Sequence, residues 1–253
     1  MTQQHCFDEC TFVIFGATGD LSKRKLIPAI YKLVQDNRLC KFTIIGISID
    51  STHAKTIVEQ AMHFIVDPQA DIIAKLIESF HYYQMDFSDK KAYAHLKSFL
   101  ETCEREAKLP KNRLFYFATM PEHFIDITKG LVKYNIVHKK DTPTKPNEQW
   151  SRVVYEKPFG HNLKSSQKIN RYLADIFNEN QIYRIDHFLG KELVGNIALA
   201  RFTNRIFEPL WNNNNIENVE IVLNEKLACK AAAFITTHMA LSKIWYKATC
   251  FNS

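Results

Sequence analysis

The residues best suited to chemistry lie together in the stretch YRIDHFLGKEL, residues 183–193. An aspartate, a histidine and a lysine occur there among apolar residues: Asp186, His187 and Lys191. His187 and Lys191 are four residues apart, so they share one face if the segment is helical. Two cationic side chains that converge on one point suit a phosphate group. A surface patch of ion pairs is the structural alternative for the same residues.

A second charged pair, Glu156 and Lys157, follows the predicted strand in SRVVYEKPFG, residues 151–160. These two side chains would lie at the carboxyl edge of the sheet. Open α/β sheets bind their ligands at that edge. The pair therefore indicates a ligand site, and an exposed charged loop is the alternative.

A glycine turn separates the first predicted strand from the first predicted helix in FGATGDLSKRK. Gly16 and Gly19 have the spacing G-x-x-G, which is less than the full G-x-G-x-x-G pattern. Glycine lets the backbone approach a pyrophosphate, and a helix N-terminus favours its negative charge. The turn indicates a dinucleotide site, although an ordinary strand-to-helix turn has the same sequence features.

The end of the second predicted strand, IIGISID, carries Asp50 and no nearby arginine. An acidic residue at this place bonds the adenosine ribose hydroxyls and favours NAD, whereas an arginine accommodates the extra phosphate of NADP. A plain surface aspartate is the alternative interpretation.

These residues need a scaffold, and the sequence supplies strands that alternate with helices. Apolar β-branched and aromatic runs predict the strands, and apolar residues at helical spacing predict the helices. Such alternation predicts an α/β fold with a doubly wound parallel sheet of the Rossmann type. The predicted strands are 10–16, 41–48, 81–87 and 112–119, with a fifth that runs into a loop within 151–160. The predicted helices are 20–39, 52–80, 89–107, 123–136 and 162–177.

Composition excludes several classes of protein. The 253 residues contain no apolar run near the roughly 20 residues of a membrane span. The net charge of +6 is spread over dispersed lysines, which argues against nucleic-acid binding. The six cysteines form no C-x-x-C pair, so we expect reduced thiols, neither a metal site nor a disulfide framework, and a cytoplasmic location.

Four stretches together resemble the glucose-6-phosphate dehydrogenase family: GATGDLSKRKL, EKPFG, RIDHFLGKE and RFTNRIFEPLWN. They occur in the family's order and approximate spacing, and the similarity runs from about residue 11 to 227. The resemblance implies an NAD(P)-binding Rossmann domain over 1–182. It also implies the beginning of an α+β second domain over 183–227.

The resemblance further implies oxidation of D-glucose 6-phosphate to 6-phospho-D-glucono-1,5-lactone with reduction of NADP, the first step of the oxidative pentose phosphate pathway. His187 and Lys191 would hold the substrate phosphate, Lys157 would reach both sugar and cofactor, and Glu225 would bond sugar hydroxyls. Asp186 would orient the histidine that acts as general base. The candidate cofactor-binding residues are Gly16, Thr18, Gly19, Asp20, Leu21, Asp50, Asp86, Pro121 and Lys157.

One departure from the family concerns the cofactor. The family usually carries arginine where this chain has Ile49, and Asp50 stands next to it. We therefore rank NADP first and expect NAD to be possible.

A larger departure follows Glu225. The family continues with G-x-x-G-R, Y-x-D-x-x-G and finally Q-N-H, whose histidine is the general base, and this chain contains none of these motifs. With permitted codons from Leu227 onward, a shifted reading frame can read as the missing family segment. The shift forces a glycine across Met239–Ala240, a valine across Trp245–Tyr246, and a glutamine or a stop across Tyr246–Lys247. We expect residues 228–253 to be an out-of-frame tail and this polypeptide to be inactive or nearly so. Family members are homo-oligomers, and most of that interface would lie in the missing part.

Two other functions remain open from the residues. Another Rossmann-type sugar dehydrogenase is one, because the glucose–fructose oxidoreductase group also carries EKP. A dinucleotide-binding fragment without catalysis is the other, and the missing base favours it for this polypeptide.

Overall fold

The computed structural model describes residues 6–139, 149–160, 162–186 and 192–218. The chain divides into two compact units, Met1–Asp186 and His187–Ser253. The first unit contains a six-stranded sheet with the order β3-β2-β1-β4-β5-β6, and the adjacent strands are parallel. The strands are β1 Cys10–Phe15, β2 Phe42–Ser48, β3 Phe80–Gln84, β4 Arg113–Phe117, β5 Ser151–Glu156 and β6 Ile182–Ile185. The predicted α/β class and the Rossmann-type parallel sheet are confirmed.

The helices cover both faces of this sheet, as parallel strands require. The first helix starts with a π-helical turn over Ser22–Leu26 and continues as α1. The α-helices of the first unit are α1 Ile27–Gln35, α2 Ala54–Met62, α3 Ala70–Ser79, α4 Ala92–Glu106, α5 Glu122–Lys133 and α6 Leu163–Ile176.

Alternation along β1 shows how the sheet makes two cores. Val13 and Phe15 point into the cluster that includes apolar residues of α4, α5 and α6. Ile14 points the other way, into the cluster that includes residues of α1, α2 and α3. All three side chains are buried because strand side chains alternate between two covered faces. The two cores thereby fix the positions of the strands, whose carboxyl ends together form one edge of the sheet.

Two differences from the predicted elements have local causes. Residues 52–80, predicted as one helix, form α2 and α3, with Asp67 at a φ of 48° and Pro68 between them. Proline disfavours helical backbone in the residue before it, so the apolar periodicity continues while the helix does not. The short strand β6 was not predicted; because it pairs with β5, the first unit extends to Asp186, beyond the predicted boundary at 182.

The described part of the second unit consists of α7, Glu192–Thr203, and turns that continue to residue 218. Several large apolar side chains of this segment are exposed: Ile197, Leu199, Phe202, Ile206, Phe207 and Leu210. The predicted tail, 228–253, lies outside the described residues, and so do 187–191 and 219–227 of the predicted second domain, 183–227; both domain assignments stay predictions.

The cysteines differ in part from the expectation of reduced thiols. Cys6 and Cys40 form a disulfide with a Cα–Cα distance of 5.9 Å, so that expectation is wrong for this pair. The sequence could not indicate the bond, because the fold brings the segment before β1 to the α1–β2 loop. Cys10 and Cys103 are free and buried, and burial raises the pKa of Cys10 to about 12 and that of Cys103 to about 11. Among the helices that the structure describes, none has the length and apolar character to cross a membrane.

Candidate functional site

The strand order places a topological switch point between β1 and β4. From β1 the chain proceeds outward to β2 and β3, and from β4 it proceeds in the other direction to β5 and β6. Ligands of doubly wound sheets bind in the crevice outside the carboxyl ends of the strands at such a point. The glycine turn follows β1 and the segment from Ala118 to Pro121 follows β4, so both border this crevice.

Gly16 is required by the geometry of the turn. Its φ is 86°, and a Cβ atom placed on it would lie 2.3 Å from the carbonyl oxygen of Ala118. The Gly16 N–H donates to the Ile47 carbonyl at 2.8 Å, and the Gly19 N–H donates to the Gly16 carbonyl at 3.0 Å. The turn therefore passes so close to β4 that no side chain fits at position 16.

Two buried hydroxyl groups beside the turn fit a dinucleotide site. The Oγ atom of Ser22, at the start of the first helix, and the Oγ1 atom of Thr119, beyond β4, have no hydrogen-bond partner among the described residues. Thr11, at the amino half of β1, carries a third such hydroxyl away from this crevice. Buried polar groups normally have partners, so the two at the crevice suit a polar ligand. The helix N-terminus beside them favours the negative charge of a pyrophosphate.

The other predicted residues of the turn lie at the same edge of the sheet. Thr18 and Leu21 are half-buried and Asp20 is exposed, with the Arg24 guanidinium 3.4 Å from its carboxylate. On the opposite side of the crevice, half-buried Pro121 directly precedes α5. The structure thus brings the turn residues and Pro121 to one edge of the sheet.

Asp50 belongs to a hydrogen-bonded group at the end of β2. The Thr18 hydroxyl donates to Oδ2 of Asp50. Ser48 Oγ lies 2.7 Å from the Thr18 hydroxyl oxygen and donates to the same Asp50 oxygen at 3.5 Å. The predicted acidic residue therefore contacts the glycine turn directly, and sequence reasoning missed the contact because Thr18 and Asp50 are 32 residues apart.

Asp86 has a local role that the sequence did not suggest. Its Oδ1 accepts hydrogen bonds from the Ser88 N–H and the Ser88 hydroxyl, each at 2.8 Å. These bonds hold the pKa of Asp86 below its usual value. The carboxylate shapes the loop that follows β3, and any contact with a cofactor stays a prediction.

A tyrosine that the sequence analysis did not single out anchors Glu156. The Tyr116 hydroxyl, from β4, donates to Oε1 of Glu156 at the end of β5. Burial, and then the Glu156 carboxylate, raise the pKa of Tyr116 well above its usual value. Because β4 and β5 pair in register with Tyr116 opposite Val154, the tyrosine reaches a residue two positions further along β5. That pairing was not readable from the sequence.

Lys157 and Asp186 meet at the carboxyl ends of β5 and β6. Lys157 Nζ donates to Oδ2 of Asp186 in an ion pair. The side chain of Lys157 is 49% exposed and that of Asp186 is 18% exposed, so the pair stays accessible from solvent. The structure therefore joins two candidates that are 29 residues apart in the chain.

Three predicted substrate residues, His187, Lys191 and Glu225, lie outside the described residues. Their roles stay predictions. Within the described ranges, no group of three side chains is arranged to hold a metal ion.

Comparisons with known proteins identify one family. Residues 13–196 match the family described as "Glucose-6-phosphate dehydrogenase, NAD binding domain", and residues 198–234 match the one described as "Glucose-6-phosphate dehydrogenase, C-terminal domain". The glucose-6-phosphate 1-dehydrogenase of Bacillus subtilis is 39% identical over 227 residues, which are 89% of this chain and 45% of the relative. The enzyme of the same name from Leuconostoc mesenteroides is 36% identical, with 87% and 44% covered.

Solved structures agree as well. A glucose-6-phosphate dehydrogenase in complex with its substrate glucose-6-phosphate superimposes with a TM-score of 0.68 at 32% identity, covering 85% of this chain and 43% of that one. A glucose-6-phosphate 1-dehydrogenase from Mycobacterium avium gives a TM-score of 0.62 at 28% identity, covering 81% and 42%. The chain thus spans less than half the length of these relatives.

Proposed function

Because the chain belongs to the glucose-6-phosphate dehydrogenase family, we propose that it is the dinucleotide-binding half of such an enzyme. The complete enzyme would oxidise D-glucose 6-phosphate to 6-phospho-D-glucono-1,5-lactone, with NADP as the first-ranked cofactor and NAD as a second. The dinucleotide would accept the hydride from C1 of the sugar. The observation that carries the proposal is the glycine turn at the β1/β4 switch point. The buried hydroxyls of Ser22 and Thr119 lie beside it and have no hydrogen-bond partner in the part of the chain that the structure describes.

The residues of this chain would bind and orient the sugar and the cofactor, and they would not take the proton from the C1 hydroxyl. Lys157, with its ammonium group on Asp186, would contact both the sugar and the cofactor, since it lies at the carboxyl edge. Asp186 would orient a general-base histidine and stabilise its charged form. His187 and Lys191 would bind the substrate phosphate, and Glu225 would bond sugar hydroxyls.

We further propose that the 253-residue polypeptide binds cofactor without turning over glucose 6-phosphate. The family's Q-N-H motif, which carries the general base, does not occur in these 253 residues. General-base catalysis contributes about 10²–10⁴-fold to a rate, so its loss leaves little activity. We also propose a cytoplasmic location, as the sequence predicts.

Calorimetric titration of the purified 253-residue chain with NADP and with NAD tests the binding, and a lactone-formation assay at 340 nm tests the turnover. We expect saturable binding and no measurable reduction of NADP in the presence of glucose 6-phosphate. Lys157→Met should weaken dinucleotide binding about ten-fold, because it removes a cation at the site.

Lys111→Met is the matched control for this substitution. Lys111 is an exposed lysine near the amino end of β4 and pairs with Glu101 at 3.1 Å, so its loss should leave binding unchanged. Failure of both dinucleotides to bind would contradict the proposed function, and measurable lactone formation would contradict the proposed inactivity.

A further inference from the structure

We propose that Cys6 and Cys40 form a reversible thiol–disulfide site that low-molecular-weight disulfides oxidise, and that its bond closes the first strand–helix unit, β1 to α1, into a covalent loop. Cys6 precedes β1 and Cys40 precedes β2, so both lie at the amino edge of the sheet, away from the proposed dinucleotide site. Three features support the proposal: the contacts that bring the two cysteines together, their exposure, and the part of the chain that the bond encloses.

Contacts other than the disulfide align the segment before β1 with the α1–β2 loop. The Phe7 N–H donates to the Arg38 carbonyl at 2.8 Å, and the Arg38 guanidinium lies 4.8 Å from the centre of the Phe7 ring. Further along, the Lys41 ammonium pairs with the Glu9 carboxylate at 3.0 Å. These contacts flank the two cysteines, whose Cα atoms are 5.9 Å apart, a separation typical of disulfides. The fold therefore holds the two sulfur atoms together without help from the bond itself.

The turn that follows α1 supplies one acceptor for both thiols. Asn37 has a φ of 53°, a left-handed conformation that asparagine adopts more readily than most residues. Its carbonyl oxygen lies 3.6 Å from Cys6 Sγ and 3.4 Å from Cys40 Sγ. In the reduced state each thiol can therefore donate to the same oxygen, which keeps the two sulfur atoms side by side. Oxidation and reduction of the pair then need no rearrangement of the backbone.

Exposure restricts the reaction to this pair among the four cysteines that the structure describes. Cys6 and Cys40 are exposed residues, so a soluble disulfide can reach them. Cys10 and Cys103 are buried, and burial raises the pKa of Cys10 to about 12 and that of Cys103 to about 11. Because the thiolate is the reacting form, these two thiols stay inert near neutral pH. Disulfides in the cytoplasm, the location proposed above, are usually transient and serve catalysis or redox sensing.

The reaction at this site is thiol–disulfide exchange. One protein thiolate attacks a sulfur of the low-molecular-weight disulfide, breaks its S–S bond and releases one thiol, which leaves a mixed disulfide. The second protein thiolate attacks the protein sulfur of that mixed disulfide, forms the Cys6–Cys40 bond and releases the second thiol. The cysteine pair loses two electrons, the small disulfide gains them, and the two protons end on the released thiols.

The bond encloses the part of the chain that carries the glycine turn. Cys6 and Cys40 are 34 residues apart, and the chain between them contains β1, the glycine turn, the π-helical turn and α1. A cross-link over a loop of this length restricts the unfolded chain, so it stabilises the folded form. Oxidation should therefore make the first strand–helix unit more resistant to unfolding, and reduction should reverse this effect.

Glutathione buffers with an increasing oxidised fraction test the site on the purified 253-residue chain without nucleotide. After each incubation the sample is acidified, denatured and alkylated, and peptide mass spectrometry locates the free and the linked cysteines. We expect Cys6 and Cys40 to lose alkylation together and to regain it with dithiothreitol. Cys10 and Cys103 should stay alkylated throughout. Free Cys6 and Cys40 in the most oxidising buffer, or a bond that dithiothreitol leaves intact, would overturn the inference.

Thermal unfolding of the oxidised and the reduced chain measures the effect of loop closure. The oxidised wild type should melt about 5–10 °C above the reduced one, and the difference should disappear in Cys6→Ser and in Cys40→Ser. It should persist in the matched control Cys229→Ser/Cys250→Ser, which removes two cysteines outside the loop. Equal melting temperatures for the two states of the wild type, or a difference that survives in Cys6→Ser, would overturn the inference. Failure of the chain to bind dinucleotides would contradict the proposed function and leave this result unaffected.

Discussion

The two edges of the parallel sheet both carry charged side chains, and they use them differently. At the amino edge, Arg113 donates to both oxygens of Glu104 at 2.6 Å each and to the Ile136 carbonyl at 2.8 Å. Both side chains of this pair are 3% exposed. At the carboxyl edge, Lys157 and Asp186 are 49% and 18% exposed, and Asp50 keeps one oxygen without a partner among the described residues.

The difference between the edges separates structural charges from those that are available to a ligand. Both oxygens of the Glu104 carboxylate already accept hydrogen bonds from Arg113, and the side chain is almost completely buried. The Lys157–Asp186 pair is partly exposed, and it lies at the sheet edge where doubly wound sheets bind ligands. An ion pair alone therefore indicates nothing about function. Its exposure to solvent and the edge of the sheet on which it lies are the informative features.

The largest expected effect comes from breaking the amino-edge pair. Arg113→Met leaves the Glu104 carboxylate buried without a counter-charge, which should lower the free energy of unfolding by about 3–5 kcal/mol. Urea unfolding at pH 7 measures it. Glu101→Gln, which breaks the exposed pair with Lys111, is the control and should cost at most about 1 kcal/mol.

The folded fraction of Arg113→Met should bind dinucleotide as the wild type does, because the pair is far from the crevice. The double variant Glu104→Met/Arg113→Met should recover much of the lost stability, since no buried charge is left unpaired. A stability loss below about 1 kcal/mol for the single variant would contradict the assigned structural role.

The glycine turn at the carboxyl edge gives the next effect. Gly16→Ala should lower the free energy of unfolding by about 1–3 kcal/mol, since alanine is strained at a φ of 86° and its Cβ would meet the Ala118 carbonyl. It should also weaken dinucleotide binding at least ten-fold. Urea unfolding and calorimetric titration measure the two changes.

Gly130→Ala, in α5 and outside the glycine turn, is the control for Gly16→Ala. Its Cβ would lie 2.5 Å from the Tyr93 ring, so stability should fall while dinucleotide binding stays unchanged. A change in binding that is equal in the two variants would show that the conformation of Gly16 has no special role.

The class of fold could be predicted from the sequence because it depends on local patterns of apolar residues and glycine. An apolar run that ends in glycine predicted β1, a second apolar run predicted β2, and Gly16 and Gly19 predicted the turn at the ligand edge. The contacts that the sequence could not predict depend on how the strands pair across the sheet. Asp50 was recognised as an acidic residue after β2, but its bond to Thr18 required the pairing of β1 with β2.

The missed features have the same origin. Arg113 and Glu104 look like ordinary surface charges in the sequence, and only the packing of α4 below β4 buries them. Tyr116 looks like one more aromatic residue of a strand. The strand β6 was missed because its four residues carry too little periodicity to identify a strand.

The smallest expected effect concerns the anchor of Glu156. Tyr116→Phe removes the hydroxyl that donates to Glu156 and keeps the ring, so the free energy of unfolding should fall by about 0.5–1.5 kcal/mol. Because Glu156 directly precedes Lys157, we also expect dinucleotide binding to weaken about three-fold. Tyr183→Phe, on the exposed strand β6, is the control and should change neither quantity.

Unfolding measured at alkaline pH separates the contribution of the Tyr116 hydroxyl to stability from any change in packing. The pKa of Tyr116 in the folded protein is raised by burial and by the Glu156 carboxylate. The stability linked to this group is therefore fully present below the unfolded tyrosine pKa, near 10, and is lost as the pH rises above it. The free energy of unfolding should fall less steeply above pH 10 in Tyr116→Phe than in the wild type. Parallel curves would show that Tyr116 ionises as easily in the folded chain as in the unfolded one, and the carboxyl edge would then lack this anchor.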